Sequence, residues 1–181
     1  MLESSLPAAF ARLDSLEVRL CRPVNSAARF PPVRNYFALV SRLGDGVAWY
    51  TLLATLPLVF GTGALRPGLH MALTGLAGVG IYRFLKQRLV RERPFHSHQS
   101  VRALVRPLDR YSFPSGHTLH AVSFTVMLAH YYPQLLWLVA PFAASVALSR
   151  VVLGLHYPTD VLAGALLGWL LAASSLALCA A

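Results

Sequence analysis

Acidic residues are scarce in this chain: 7 Asp and Glu stand against 16 Lys and Arg in 181 residues. Charge of either sign is missing from residues 46–65, 67–82, 111–149 and 161–181. A water-soluble domain of this size must break such runs with charge to cover its surface, so these absences exclude one. The longest run is long enough for two membrane crossings of about 20 residues each. Charged residues make up 13% of the chain, about half the usual share, while 56% are hydrophobic and the mean hydropathy is +0.54. This is the composition of an integral membrane protein.

Cysteine is also nearly absent. Cys21 and Cys179 lie at opposite ends of the chain without the spacing of a disulfide framework or a zinc site, and read as two unpaired thiols. The N-terminus lacks the unbroken apolar core of a signal peptide, because Arg12, Asp14, Glu17 and Arg19 interrupt it. The net charge of +9 is not matched by the aromatic–basic interleaving of a nucleic-acid surface. The basic residues gather in short loops and in the N-terminal segment, where they can meet anionic lipid headgroups or a phosphate ligand. No nucleic-acid partner is expected; the expected partners are the bilayer and a lipid phosphate.

What is present organises into an all-α, polytopic membrane helix bundle. Leu13, Leu16, Leu20 and Val24 recur at spacings of three to four, which predicts an amphipathic helix lying on the membrane surface. Pro31-Pro32 ends it, a second short helix is expected over 33–43, and Gly44-Asp45-Gly46 reads as a turn. About five transmembrane helices follow, near 46–61, 68–90, 117–131, 134–152 and 160–180. The chain thus divides into an N-terminal surface segment, 1–44, and a transmembrane part, 45–181.

Three polar blocks sit at the ends of these spans. Lys86 and Arg93 close the second. If the helix ran through both, they would lie roughly 20° short of two full turns apart and roughly 10 Å along the axis, on one face. An ammonium and a guanidinium so placed can clamp different oxygens of one phosphate. Pro114-Ser115-Gly116-His117 opens the third span. A helix N-terminus offers free N–H groups to an anion, Ser115 adds a hydroxyl, Gly116 allows close approach, and His117 comes within reach of an ester oxygen. Ser149-Arg150 closes the fourth span, followed by His156 and, four positions on, Asp160 at the start of the fifth. A carboxylate beside an imidazole fixes its tautomer and raises the basicity of the far nitrogen, which suits a nucleophile. Ionisable groups at membrane depth are functional candidates. Alternating crossings bring all of these positions to one side of the membrane.

The remaining histidines carry less. His96 and His98 form an H-x-H pair, but without cysteine and with few acids they read as solvated loop residues rather than a metal site. His120 lies one turn beyond His117, and His70 and His130 fall near the opposite interface. Trp137 and Trp169 read as belt or packing residues.

With these residues the chain resembles the type 2 phosphatidic acid phosphatase family, which also holds the vanadium haloperoxidases. Its pattern, K-x6-R-P, P-S-G-H and S-R-x5-H-x3-D, is matched by Lys86 to Pro94, Pro114 to His117 and Ser149 to Asp160, in order and with apolar spans between. The resemblance covers about 46–181. It implies that His156 attacks phosphorus to form a phosphohistidine, that Asp160 orients His156, and that His117 protonates the leaving oxygen and then activates water. It also implies that Lys86, Arg93, Arg150 and the Ser115-Gly116 turn hold the phosphate oxygens, and that no metal or other cofactor is required.

The expectation is therefore a lipid phosphatase of the bacterial inner membrane, acting on phosphatidic acid, phosphatidylglycerol phosphate or a polyprenyl pyrophosphate. A lipid phosphotransferase would use the same site. A scramblase or transporter needs the cations but not the His117, His156 and Asp160 set. Haloperoxidase relatives are soluble, unlike this chain. Six arginines on the catalytic side (Arg12, Arg19, Arg22, Arg29, Arg34 and Arg42), against Arg66 on the other, point to a cytoplasmic active site.

Overall fold

The computed structural model describes residues 5–180, and every regular element among them is helical. Helix α1 spans Ser5–Ala27 and α2 Pro31–Arg42, the latter started by prolines that need no N–H in a first turn. Helix α3 spans Ala48–Phe60, α4 Leu65–Leu89, the single turn α5 Pro94–Ser97, α6 Gly116–Tyr131, α7 Leu136–Val152 and α8 Pro158–Ala180.

The apolar stripe expected on α1 faces outward: Leu13, Leu16, Leu20 and Val24 are exposed, while Asp14, Glu17, Val18, Cys21 and Asn25 face the protein. Val18 and Cys21 pack against Val101 and Tyr157 in a small satellite core. Asn25 ties α1 down: its amide donates to the carbonyls of Arg102 and Val152, each at 3.0 Å, and accepts the Arg102 N–H at 3.0 Å.

Among the described residues, the stretches long and apolar enough to cross a membrane are Pro31–Phe60, Pro133–Val152 and Pro158–Cys179. The first differs from the expectation of a span beginning at Gly46. It runs from α2 into α3 and is bent where Asp45 (φ −79°, ψ 15°) and Gly46 (φ 126°) leave helical geometry. The bend sets Asp45 at the end of the bundle where α6 begins, near His117. Helix α4 has the length to cross, with 25 residues, but carries Arg66, Arg83, Lys86 and Arg88; α6 has only 16 residues. Leu58, Leu69, Leu76, Leu166 and both Trp137 and Trp169 are exposed on the helix exteriors, as lipid-facing residues would be.

Helix α6 runs through the centre of the bundle. Trp49 stacks on Phe124, with ring centroids 5.1 Å apart, and meets Phe142 edge-on, within a core that also holds Leu56, Met71, Met127, Leu128 and Val146. Helix α8 approaches α6 closely at Gly164 and Gly168, where a Cβ would overlap the carbonyl oxygens of Ser115 and Leu119. Small residues four apart let two membrane helices meet backbone to backbone. This contact draws the first turn of α8, with Asp160, against the start of α6, where the Ser115 N–H donates to the Asp160 carbonyl at 3.0 Å. Between α7 and α8, Gly154 takes φ 75°, and its missing side chain makes room for the Arg102 carbonyl.

Candidate active site

Lys86, Arg93, Gly116, His117, Arg150 and His156 line one cavity of about 540 Å³, from positions spread over 70 residues of chain. One wall is apolar: Trp49, Leu53, Leu76, Val79 and Phe124 from α3, α4 and α6. A smaller space of about 410 Å³ meets the same His117 and Arg150 from the side of Arg42 and Arg106.

The two cations of the first block arrive differently from the expected helical clamp. Helix α4 ends at Leu89; Val90 adopts a left-handed conformation (φ 44°, ψ 44°) and returns its N–H to the Lys86 carbonyl, and Arg93 is extended. Arg93 therefore reaches Lys86 through a loop rather than along a helix face. Both converge on Asp109: the Lys86 ammonium donates to its two carboxylate oxygens at 2.8 Å each, and Arg93 Nη2 donates to Oδ1 at 2.6 Å. Burial alone would raise the Asp109 carboxyl, but Lys86 and Arg93 outweigh it and hold it below the ordinary carboxylate range. Its two oxygens sit on the cations much as two oxygens of a phosphate would.

Arg150 is buried at 3% exposure and has no carboxylate partner among the described residues. Its Nη1 donates to Ser41 Oγ at 2.5 Å and its Nε is unpaired. A buried guanidinium without an anion is costly to the fold, so this position calls for an anionic ligand.

His156 is also buried, in the turn between α7 and α8. Its Nε2 stands 3.3 Å from Arg93 Nη1, and the residue lines the cavity. An arginine can only donate, so Nε2 presents its lone pair and the ring proton sits on Nδ1. Burial first, then the charges of Arg93, Arg150 and Lys86, pushes the imidazole pKa well below its ordinary value, which keeps the ring neutral. Nδ1 lies 3.5 Å from Asp160 Oδ2, longer than a hydrogen bond of good geometry. Asp160 itself is fully buried. Its Oδ1 accepts from Arg91 Nη1 at 2.6 Å and its Oδ2 accepts the Tyr157 N–H at 2.8 Å.

His117 projects into the cavity from the first turn of α6, with Nε2 3.4 Å from Asp45 Oδ1. The helix ladder starts with the Leu119 N–H donating to Ser115, so the N–H groups of Gly116, His117 and Thr118 precede it. Ser115 departs from its expected role. It is fully buried, its hydroxyl lies 3.0 Å from that of Thr118, and its N–H is spent on Asp160. The turn meets the cavity through Gly116 and His117 instead.

His120 stands between the carbonyls of Gly116 and Gly75 and ties α6 to α4. His70 lies at the other end, between Tyr131 and Ser175. Asp45, Arg91 and Asp109 were not legible as site residues. Each is an ordinary charge in a polar stretch, and its partners lie 16 to 77 positions away or across a bend.

The sequence profile of the PAP2 superfamily matches residues 67–179. An undecaprenyl-diphosphatase (BcrC) of Bacillus subtilis is 30% identical over 116 residues, 64% of this chain and 60% of that protein. A lipid A 1-phosphatase of Rhizobium johnstonii is 29% identical, over 81% of this chain and 68% of its own length. For several such relatives the matched part is less than two thirds of their length. Among solved structures, a transmembrane PAP2-type phosphatidylglycerolphosphate phosphatase from Bacillus subtilis superposes with a TM-score of 0.73 and 26% identity, covering 97% of this chain and 94% of that one.

Proposed function

The chain belongs to the PAP2 superfamily, and on that premise we propose that it is a multi-pass membrane lipid phosphatase. It transfers the phosphoryl group of a lipid phosphomonoester or diphosphate first to His156 and then to water. The observation that carries this reading is the pairing, in one cavity, of an imidazole whose Nε2 carries no proton and accepts from Arg93 with a buried arginine that has no carboxylate partner among the described residues. Binding alone needs only the cations; the imidazole adds chemistry.

In the first step the Nε2 lone pair forms a bond to phosphorus as the bond to the lipid oxygen breaks, and His117 gives its proton to that oxygen. In the second, His117 takes a proton from water, the hydroxide attacks phosphorus, and the P–N bond breaks to release phosphate. Lys86, Arg93, Arg150 and the free N–H groups at the start of α6 offset the charge on the equatorial oxygens. The apolar wall of Trp49, Leu53, Leu76 and Val79 suits a lipid chain. Undecaprenyl diphosphate, lipid A 1-phosphate and phosphatidylglycerol phosphate, the compounds in the relatives' names, all carry a terminal phosphate on the polar end of a lipid.

The test is phosphate release by the purified protein from a panel of these lipids and phosphatidic acid, with His156→Ala as control. Release by the parent, its inhibition by vanadate and its loss in the variant are expected. Lipid flux without release, persisting in the variant, would favour a transporter instead; label passing to an added alcohol would mark a phosphotransferase. The arginines exposed along α1 and α2 favour a cytoplasm-facing site. An Arg110→Cys variant on a Cys179→Ser background should then resist a membrane-impermeant thiol reagent in whole cells, and rapid labelling would reverse the orientation.

A further inference from the structure

Arg91 is a fully enclosed charge that lies outside the cavity. Its side chain is 0% exposed and does not line the site, so it cannot touch substrate. Nη1 donates to Asp160 Oδ1 at 2.6 Å and to Thr159 Oγ1 at 2.8 Å. Nη2 donates to Glu17 Oε2 at 2.5 Å and to Asp14 Oδ1 at 2.7 Å, and Nε donates to Asp14 Oδ1 at 3.0 Å. The guanidinium lies 4.2 Å from the centroid of the Tyr157 ring and 5.0 Å from that of Phe10. Glu17 continues the bridge, accepting the Thr159 N–H and hydroxyl at 2.7 Å each. Two carboxylates of the surface helix α1 thus grip the first turn of α8, through one arginine and directly.

We infer that Arg91 is a positioning residue for the His156–Asp160 pair, and that through it α1 sets the reactive geometry of the site. The inference rests on the reading proposed above. A carboxylate has two oxygens, and which one meets an imidazole depends on a rotation that is broad for aspartate. Arg91 takes Oδ1, so Oδ2 is the oxygen left beside the Tyr157 N–H and His156 Nδ1. With the ring proton drawn toward Oδ2, Nε2 keeps its lone pair free of a proton. The planar fork is needed, because a lysine in its place cannot reach Asp160 and both acids of α1 in one plane. Asp14 and Glu17 fix the fork from the other side. Helix α1 in turn lies with Leu13, Leu16 and Leu20 turned outward, so the brace runs from the lipid-facing helix to the catalytic carboxylate.

The experiment compares Arg91→Lys and Glu17→Gln with the parent, each also in an Asp160→Asn background. Arg91→Lys should lower kcat by about 10–100-fold, the usual cost of losing a group that orients a reacting one. KM should stay within about twofold, since no substrate contact is lost. In the Asp160→Asn background neither substitution should cost anything further, because the effect passes through Asp160. A merely structural arginine would lose the same factor in both backgrounds, and that additivity would overturn the inference, as would an unchanged kcat. Glu17→Gln keeps the buried guanidinium and serves if Arg91→Lys does not fold; it should lower kcat in the same direction by a smaller factor. A readout without turnover is the nitrogen NMR of His156 in detergent. The parent should show one Nδ1–H signal whose shift reports its approach to Asp160 Oδ2, and both variants should move that signal. Absence of phosphate release by the parent would sink the phosphatase reading alone, whereas an unchanged Nδ1–H signal in the variants would sink this one.

Discussion

Replacing Arg150 with methionine should make the protein more stable and almost inactive. The residue is 3% exposed, its Nε is unpaired, and its one side-chain partner among the described residues is the neutral Ser41 hydroxyl. Its backbone does separate work, since its carbonyl accepts the N–H groups of Leu155 and His156, and a side-chain change leaves that intact. Swapping buried charges for apolar groups of similar volume is commonly neutral or stabilising by about 1–4 kcal/mol, even where the charges are paired. Arg150 has no carboxylate partner among the described residues, so a gain within that range is expected. The effect on activity is opposite. Two charge-assisted hydrogen bonds to a phosphate, at about 1.5–3 kcal/mol each, come to roughly 3–6 kcal/mol. At about 1.4 kcal/mol per factor of ten, kcat/KM should fall by roughly 10²–10⁴. Thermal unfolding in detergent and phosphate release from a lipid phosphate read the two effects on one preparation. A lower unfolding temperature together with activity within a few-fold of the parent would refute the idea that Arg150 is held in place for an anion.

Removing the Asp109 carboxylate, as Asp109→Asn, should lower KM by about two- to fivefold, the equivalent of a partly exposed ion pair that no longer competes with the phosphate; steady-state kinetics would show it, and a raised KM would contradict it. Gly168→Val should destabilise the bundle by about 1–3 kcal/mol or more through overlap with the Leu119 carbonyl, and should reduce activity as Asp160 shifts; wild-type melting would count against the close helix contact. The pKa of His156 is depressed by folding, so between that value and the unfolded value of about 6.5 the unfolded chain binds more protons and stability falls as pH drops. His156→Asn should remove part of that acid-side slope and leave the slope above pH 7 unaffected, as unfolding across a pH series would report.

The parts of the site legible in the sequence are those that local rules govern. Charge-free runs mark apolar helices because hydrocarbon excludes charge, and residues at the ends of alternate crossings share a side by geometry alone. Lys86, Arg93, His117, Arg150 and His156 come together for that reason. The helical spacing of Lys86 and Arg93 misled because Val90 takes a left-handed turn that nothing in an apolar–basic stretch announces. Ser115 looked like a ligand donor but is sealed by the approach of α8, which depends on two glycines about 50 positions later. Arg91 is one of four basic residues in 86–93, and its burial is decided by Asp14 and Glu17 on a helix more than 70 positions earlier. The amphipathic stripe of α1 showed which face turns outward but not that the opposite face carries acids that reach Arg91.

The central claim is that His156 becomes covalently phosphorylated. The direct measurement is rapid quenching of the purified protein with a lipid whose terminal phosphate is labelled, followed by denaturing separation and peptide mapping. The account predicts label on the peptide containing His156, stable to alkali and lost in mild acid as a phosphoramidate is, and absent in His156→Gln. Label on another residue, or full turnover by the variant, would contradict it.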